Sequence, residues 1–369
     1  MHRLMAGRTI LEHELSELRL LVERQTGILL DCPNSALVAH VAEYLESEEL
    51  ESVAALLERL RASDLDPHVL ARFLDGVLNV STGFFRHPGA MNALARQVIP
   101  QLYARKSEDG PCTLRIWSAG CGTGEEPYSI AMALCDVLGN GNGTAAGDGG
   151  TCNGSAGKDG KDRDKDGREK DGREKEKIGA ARNGGIAENS APASALPGPK
   201  DWSVHIVGSD LLPSAIEVAE RGLYPQSALA GLPPAAIRAC FSKIGNTNGN
   251  LTSASQISPQ DAQPNGCSAH LLVKPRLRSL VTFNTMNLTK PVYIGRFDCI
   301  FCMDVLPHLS RAQRVALLER LHLYLEPGGY LFLSQTEKLC VTNLNFRPET
   351  YDGYTFHRKP LAASAAYGR

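Results

Sequence analysis

The run Leu114-Arg115-Ile116-Trp117-Ser118-Ala119-Gly120-Cys121-Gly122-Thr123-Gly124-Glu125-Glu126-Pro127-Tyr128-Ser129 constrains the fold more than any other stretch of the chain. A short apolar segment breaks into three alternating glycines. It then enters Ser129-Ile130-Ala131-Met132-Ala133-Leu134, whose composition and apolar spacing suit a buried helix. Strand, tight glycine loop and helix is the way α/β nucleotide-type sites begin.

Without Cβ atoms, Gly120, Gly122 and Gly124 can take positive φ and let a ligand lie against the backbone. A dinucleotide fingerprint has another glycine three positions after the second, at a helix N-terminus free to hold a pyrophosphate. Here that position is Glu125. Two consecutive carboxylates repel a pyrophosphate, whereas Glu126 can bind a cationic amino group or a ribose hydroxyl. S-adenosylmethionine carries an amino-acid tail, a sulfonium and a ribose but no phosphate, and fits this chemistry better. A purely structural tight turn is the other reading of the glycines.

With 369 residues, 43% of them hydrophobic, the chain has room for two domains of an ordinary soluble protein. A net charge of -2 provides no broad basic face, so no nucleic-acid partner is expected. No apolar run approaches the ~20 residues of a transmembrane helix. Met1-His2-Arg3-Leu4-Met5-Ala6 lacks the apolar core of a signal peptide, so the cytoplasm is the expected location. The ten cysteines are scattered and read as reduced core thiols. Cys299-Ile300-Phe301-Cys302 has metal or redox spacing, yet it lies within an apparent buried strand and has no second Cys/His pair near it in sequence. No metal is expected.

From Leu11 to Leu78 the pattern is helical. Leu11, Leu15, Leu18 and Val22 form one stripe that Gly27 ends, and similar stripes recur at Leu37, Val41 and Tyr44, at Val53, Leu56 and Leu60, and at Val69, Leu70, Phe73, Leu74 and Val77. Four short helices make a small domain over 8–80, either a stabilising cap or a substrate-docking surface. Next, Thr82, Phe84, Phe85 and Arg86 join it to the glycine loop. The two aromatics are candidate anchors of a domain junction. Arg86 is an anion or carboxylate clamp, or a surface ion-pairing residue.

Residues 139–200 are rich in Gly, Asn and Ser and then in alternating charges, which predicts a disordered insertion. Ser203 to Asp210 then reads as a buried strand ending in an acid. Asp210 is a candidate ribose ligand or a helix cap. A second polar insertion covers 245–266. Leu271-Leu272-Val273 and Val281-Thr282-Phe283 are expected to be short strands of a small antiparallel unit within 226–285. Asn287, beyond the second of these, contacts an adenine edge or makes a turn. Phe297 to Cys302 reads as a buried strand that delivers Met303, Asp304 and His308 to one sheet edge. A helix over 311–325 and the turn Glu326-Pro327-Gly328-Gly329 lead into the strand Tyr330 to Ser334.

These segments resemble the chemotaxis-receptor methyltransferase family, CheR. The most specific match is Trp117-Ser118-Ala119 through Gly124-Glu125-Glu126-Pro127-Tyr128-Ser129. Thr82, Phe84, Phe85 and Arg86, Gly208-Ser209-Asp210, Arg221-Gly222-Leu223-Tyr224-Pro225, Phe297 to Cys302 and Pro327 to Phe332 match in the same order. The resemblance implies an α/β fold: a Rossmann-like S-adenosylmethionine methyltransferase domain over 81–360, an N-terminal all-α domain and a small inserted antiparallel β-subdomain. It implies transfer of a methyl group to glutamates of a methyl-accepting receptor's cytoplasmic domain. Thr82, Arg86, Glu126, Asp210, Asn287 and Leu288 are implied cofactor ligands, along with the backbone at Gly120 and Gly122 and with Met303 and Asp304. Arg86 and His308 are placed beside the methyl.

The chain departs from the family pattern at three positions near the site. Val80 replaces Asn two residues before the motif Thr, Asp304 replaces Asn, and His308 replaces a phenol. The second helix, from Ala36 to Leu45, carries no arginine or lysine, although in the family it is usually arginine-rich. A methyltransferase of the same fold acting on another protein or a small molecule, or a non-catalytic cofactor-binding module, are the alternative functions.

Overall fold

The computed structural model describes residues 10–62, 67–78, 82–106, 112–139, 202–243, 270–292, 294–339 and 344–361. Val80, the polar insertion at 245–266 and, apart from Gly139, the insertion at 139–200 lie outside the described residues.

Four helices come first: α1 (Glu12–Thr26), α2 (Asn34–Ser47), α3 (Val53–Arg61) and α4 (Pro67–Asp75). Their apolar stripes meet in one core containing Leu15, Leu18, Val22, Leu37, Val41, Leu56, Leu60 and Phe73. Leu11 departs from its expected place in the first stripe. It precedes the helix in an extended conformation and is 49% exposed, because the helical face begins only with Glu12. Gly27 ends α1 with φ of 76°, and its N–H bonds the Glu23 carbonyl at 2.7 Å. A Cβ at Gly27 would also lie 2.6 Å from Thr289 Cγ2, so close packing as well as conformation requires glycine there.

Helix α5 (Pro88–Ala93) continues through a π-helical turn into α6 (Ile99–Lys106). The elements that follow are β1 (Cys112–Ala119), α7 (Glu125–Gly139), β2 (Trp202–Asp210), α8 (Pro213–Arg221), β3 (Leu223–Pro225), α9 (Pro234–Cys240), β4 (Phe241–Lys243) and β5 (His270–Val273). Then come α10 (Pro275–Arg278), β6 (Val281–Thr285), β7 (Phe297–Phe301), α11 (Arg311–Tyr324), β8 (Leu325–Phe332), β9 (Arg347–Tyr351) and β10 (Tyr354–Arg358).

The main sheet has the order β6-β2-β1-β7-β8-β10-β9. Its first five strands are parallel, and β10 and β9 close it as an antiparallel hairpin. The chain leaves β1 toward β2 on one side and reaches β7 on the other. The carboxyl end of β1 is therefore the topological switch point, where open α/β sheets bind ligands. Strand β7 is buried at every residue, as a central parallel strand is, and its one acid, Asp298, is paired with Lys106. Cys299 and Cys302 are fully buried free thiols, and burial pushes both well above the ordinary thiol range.

Two local expectations need correction. Val281-Thr282-Phe283 is not in the small antiparallel unit. It pairs in parallel with β2 from Ile206 opposite Val281 to Asp210 opposite Thr285, at the edge of the main sheet. Helix α10 has already ended the small sheet, which is β3-β5-β4. Periodicity alone could not separate two short apolar strands belonging to different sheets. Further along, Glu326-Pro327-Gly328-Gly329 does not precede its strand but loops out of β8. Leu325 pairs with Phe297, and the next pair is Tyr330 with Cys299.

The helical layer is stitched to the sheet. Ile28 bridges Leu309, the Leu29 N–H donates to the His308 carbonyl at 2.8 Å, and the Thr289 hydroxyl donates to the Thr26 carbonyl at 2.7 Å. Leu212 and Ala215 at the start of α8 enter the helical core. Phe84 and Phe85 pack against the core of the sheet side, not against the four-helix core, and Phe84 lies edge-on to Tyr224 and Phe241 of the small sheet.

Candidate active site

Beyond the carboxyl ends of β1, β2, β6 and β7 lies a cavity of about 590 Å³, closed on one side by the segment Ile28 to Pro33 between α1 and α2. All eleven residues nominated from the sequence line it: Thr82, Arg86, Gly120, Gly122, Glu126, Asp210, Asn287, Leu288, Met303, Asp304 and His308.

The glycine loop spends its N–H groups within the protein. Gly120 and Cys121 both donate to the Ser209 carbonyl, Gly124 to the Cys121 carbonyl, and Gly122 to Asp210 Oδ2 at 2.9 Å. None of these donors is left to cradle a phosphate. Gly120 has φ of 83°, and a Cβ there would meet Val305 Cγ2 at 2.5 Å. Gly124, at φ of 95°, serves helix packing instead. A Cβ there would lie 2.7 Å from Ala219 Cβ, so glycine is what lets α8 seat against the loop.

Asp210 does not cap α8, whose N-cap residue is Leu212 with no side-chain bond. Its Oδ1 accepts from Leu212 N–H at 3.0 Å and its Oδ2 from Gly122 N–H. The Leu211 N–H bonds the carboxylate as well, which leaves it acceptor capacity for one hydroxyl from the cavity. Burial raises the Asp210 carboxyl above its ordinary range despite these bonds. Glu126 accepts from the Ser118 hydroxyl at 2.7 Å. Burial pushes its carboxyl up to about 7; Ser118 and Arg86 oppose the shift, while Asp304 and Glu337 add to it.

Asp304 stands in the left-handed region, with φ of 57°. Its Oδ2 accepts from Arg86 Nη2 at 3.2 Å and from His87 Nε2 at 3.0 Å. Glu337 fixes the backbone beneath it, accepting from the N–H groups of Asp304 at 3.1 Å, Leu306 at 2.9 Å and Ser334 at 2.9 Å. Asn287 makes the turn: its Oδ1 accepts from the backbone and hydroxyl of Thr289. Its amide group remains on the cavity wall. The Thr82 hydroxyl bonds the Glu125 carboxylate, which Thr123 also meets, so Thr82 braces the loop from the cavity edge. His308 is solvent-exposed at the rim, and its backbone ties the 304–308 turn to Leu29.

Sequence reasoning missed His87, Glu337, Ser118 and the Ile28 to Pro33 wall. His87 directly follows Arg86 and could have been nominated with it. Glu337 and the wall are brought in by tertiary folding and carry no local signal.

The residues present suit S-adenosylmethionine. Glu126 and Asp304 place two carboxyl groups where an ammonium and a sulfonium favour the ionised form, Asp210 keeps acceptor capacity for a ribose hydroxyl, and the N–H groups of Gly120, Cys121, Gly122 and Gly124 are already bonded within the protein.

The chain matches the family model "CheR methyltransferase, SAM binding domain" over residues 80–146 and 191–354. It is 27% identical to Chemotaxis protein methyltransferase 1 of Pseudomonas aeruginosa over 87% of this chain and 88% of that one. It is 25% identical to Chemotaxis protein methyltransferase Cher2 of Pseudomonas putida, over 88% and 90%. A chemotaxis protein methyltransferase of Borreliella burgdorferi is 23% identical over 93% and 94%. With the glycine loop, the acid at the end of β2 and the arginine before α5 all within the matched span and lining one cavity, the chain belongs to the CheR methyltransferase family and has S-adenosylmethionine as its cofactor.

Proposed function

We propose that this protein transfers the methyl group of S-adenosylmethionine to glutamate side chains in the cytoplasmic domain of chemotaxis-type receptors, forming methyl esters. The observation that carries this reading is the convergence of Glu126, Asp210 and Arg86 on one cavity at the switch point of a CheR-family sheet. The relatives named chemotaxis protein methyltransferases support a substrate within chemotaxis.

In this reading Glu126 holds the cofactor's ammonium and Asp210 a ribose hydroxyl, while Asn287, Leu288 and Met303 form the adenine wall. Bound S-adenosylmethionine supplies a methyl group made electrophilic by its sulfonium. Arg86, held by Asp304, orients the incoming carboxylate, and His308 borders its path at the rim. A glutamate is already ionised near neutral pH, so alignment matters more than base catalysis. The domain division follows the same reading: a helical unit over 8–80 and a catalytic unit over 81–360.

The exposed face of α2 presents Ala36, Ala39, Glu43 and Glu46, with no cation on the helix. That favours a receptor partner less acidic than an arginine-rich helix would select.

Receptor-bearing membranes incubated with methyl-tritiated S-adenosylmethionine test the proposal. Base-labile, volatile label on the receptor is expected. Calorimetric binding of the cofactor without any transfer would sink the receptor assignment. No binding of either S-adenosylmethionine or S-adenosylhomocysteine would sink every enzymatic reading.

A further inference from the structure

At the opposite end of the main sheet, the amino ends of β1, β7 and β8 border a second concavity of about 260 Å³. Four cations, Arg105, Lys106, Arg115 and Arg296, line it together with two carboxylates, Asp298 and Glu326, a positive excess of two.

These groups are not equally committed. Lys106 Nζ lies 2.7 Å from Asp298, whose side chain is 2% exposed; Asp298 also accepts from the Arg115 N–H at 3.0 Å. With Asp298 buried and Lys106 partly exposed, that pair is neutral as a unit. Arg105 Nη1 donates to the Gly328 carbonyl at 2.7 Å, which fixes the guanidinium without neutralising it. Gly328 is itself pinned: its N–H donates to the Lys359 carbonyl at 2.9 Å, and the Lys359 N–H returns a bond to Gly329 at 2.8 Å. The side chains of Arg115 and Arg296 are exposed and face no carboxylate within ion-pairing distance among the described residues. Burial first, and then the nearby Arg296 charge, push the Lys359 ammonium below its ordinary range, with Glu326 opposing them. Positive charge thus accumulates at this end of the sheet.

We infer that this concavity is a binding site for a small phosphate monoester, separate from the methyl-transfer cavity. An excess of two positive charges matches a dianion. Planar guanidinium forks suit the oxygens of a phosphoryl group better than a single carboxylate. The volume admits a phosphoryl group carrying a sugar-sized substituent.

Calorimetry of the full-length protein with ribose 5-phosphate tests the assignment, with ribose and inorganic phosphate as companion probes. Saturable binding of ribose 5-phosphate and weaker binding of phosphate are expected, with none of ribose. The double variant Arg115→Gln/Arg296→Gln should weaken the phosphate ester about tenfold or more, because it removes two charge-assisted donors. Unchanged S-adenosylhomocysteine binding in that variant reports an intact fold, since both arginines are exposed and remote from the other cavity. Three outcomes overturn the inference: no saturable binding up to about 10 mM, equal affinity in the double variant, or displacement of the ester by S-adenosylhomocysteine.

Discussion

A single oxygen, Asp304 Oδ2, holds both Arg86 at 3.2 Å and His87 at 3.0 Å, although His87 and Asp304 are 217 positions apart in sequence. The carboxylate thus sets the direction of the guanidinium proposed to meet the substrate. Its own backbone is held at positive φ by Glu337, so the arrangement has two layers of support.

The contact separates two substitutions. In Asp304→Asn one oxygen still accepts, and asparagine tolerates the left-handed conformation. In Asp304→Ala the acceptor disappears and alanine meets a cost of roughly 1 kcal/mol at that φ. Turnover should fall less than about tenfold in the first variant and by about 100-fold in the second, with cofactor affinity changing less than turnover. Equal activities in steady-state assays would show that Asp304 does not position Arg86.

Arg86 itself is 43% exposed and contributes little to the core. Arg86→Ala should cut methyl transfer by orders of magnitude while leaving the thermal midpoint within a few degrees of wild type. Arg86→Lys keeps the charge but loses the fork, and should recover only a minor part of the activity. Turnover near the wild-type rate in the alanine variant would remove Arg86 from the site.

How far the sequence disclosed this site depended on where each residue's constraint lies. The glycine loop and the acid after β2 announced themselves because backbone conformation and strand-end position are local properties. The four helices were equally legible from their stripes, apart from Leu11, which fell one position outside its helix. The Val281 to Phe283 triplet fits either sheet by its pattern, and it joins the main one because pairing partners are chosen by tertiary packing. For Asp210 the residues alone allow ribose ligand or helix cap, and the cap is excluded by the helix start, where Leu212 is the N-cap residue and no side chain caps it. Glu337 had no signature at all: its three partners are backbone groups from two different turns.

That same residue gives a stability prediction. Glu337→Ala would strand three N–H donors beneath the cavity, each costing on the order of 1 kcal/mol when not rehydrated. A loss of roughly 2–3 kcal/mol in urea denaturation is expected, together with weaker cofactor binding as the 304–306 turn loosens. Glu337→Gln keeps one acceptor oxygen and should lie between the two. An alanine variant as stable as wild type would show that water replaces the carboxylate.

The pH response of the cavity rests on Glu126, whose carboxyl is raised from 4.5 to about 7. The raised value means that the folded, ligand-free protein keeps this carboxyl protonated where the unfolded chain has already released the proton. The associated stability is therefore fully present below about 4.5 and is lost as pH rises through 7, a span on the order of 2–3 kcal/mol once solvent in the cavity is allowed for. A cationic ligand reverses the preference, because an ammonium beside Glu126 favours the ionised form. Binding of S-adenosylmethionine should release a proton below pH 7 and tighten as pH rises from about 6 to 8. Titration calorimetry in buffers of different ionisation enthalpy measures that proton directly. Glu126→Gln should abolish the pH dependence of affinity, weaken binding at pH 8, and flatten the stability profile between pH 5 and 8. If proton release persists in the glutamine variant, the titrating group is another carboxylate of the cavity, and Asp210, also raised by burial, is the next to substitute.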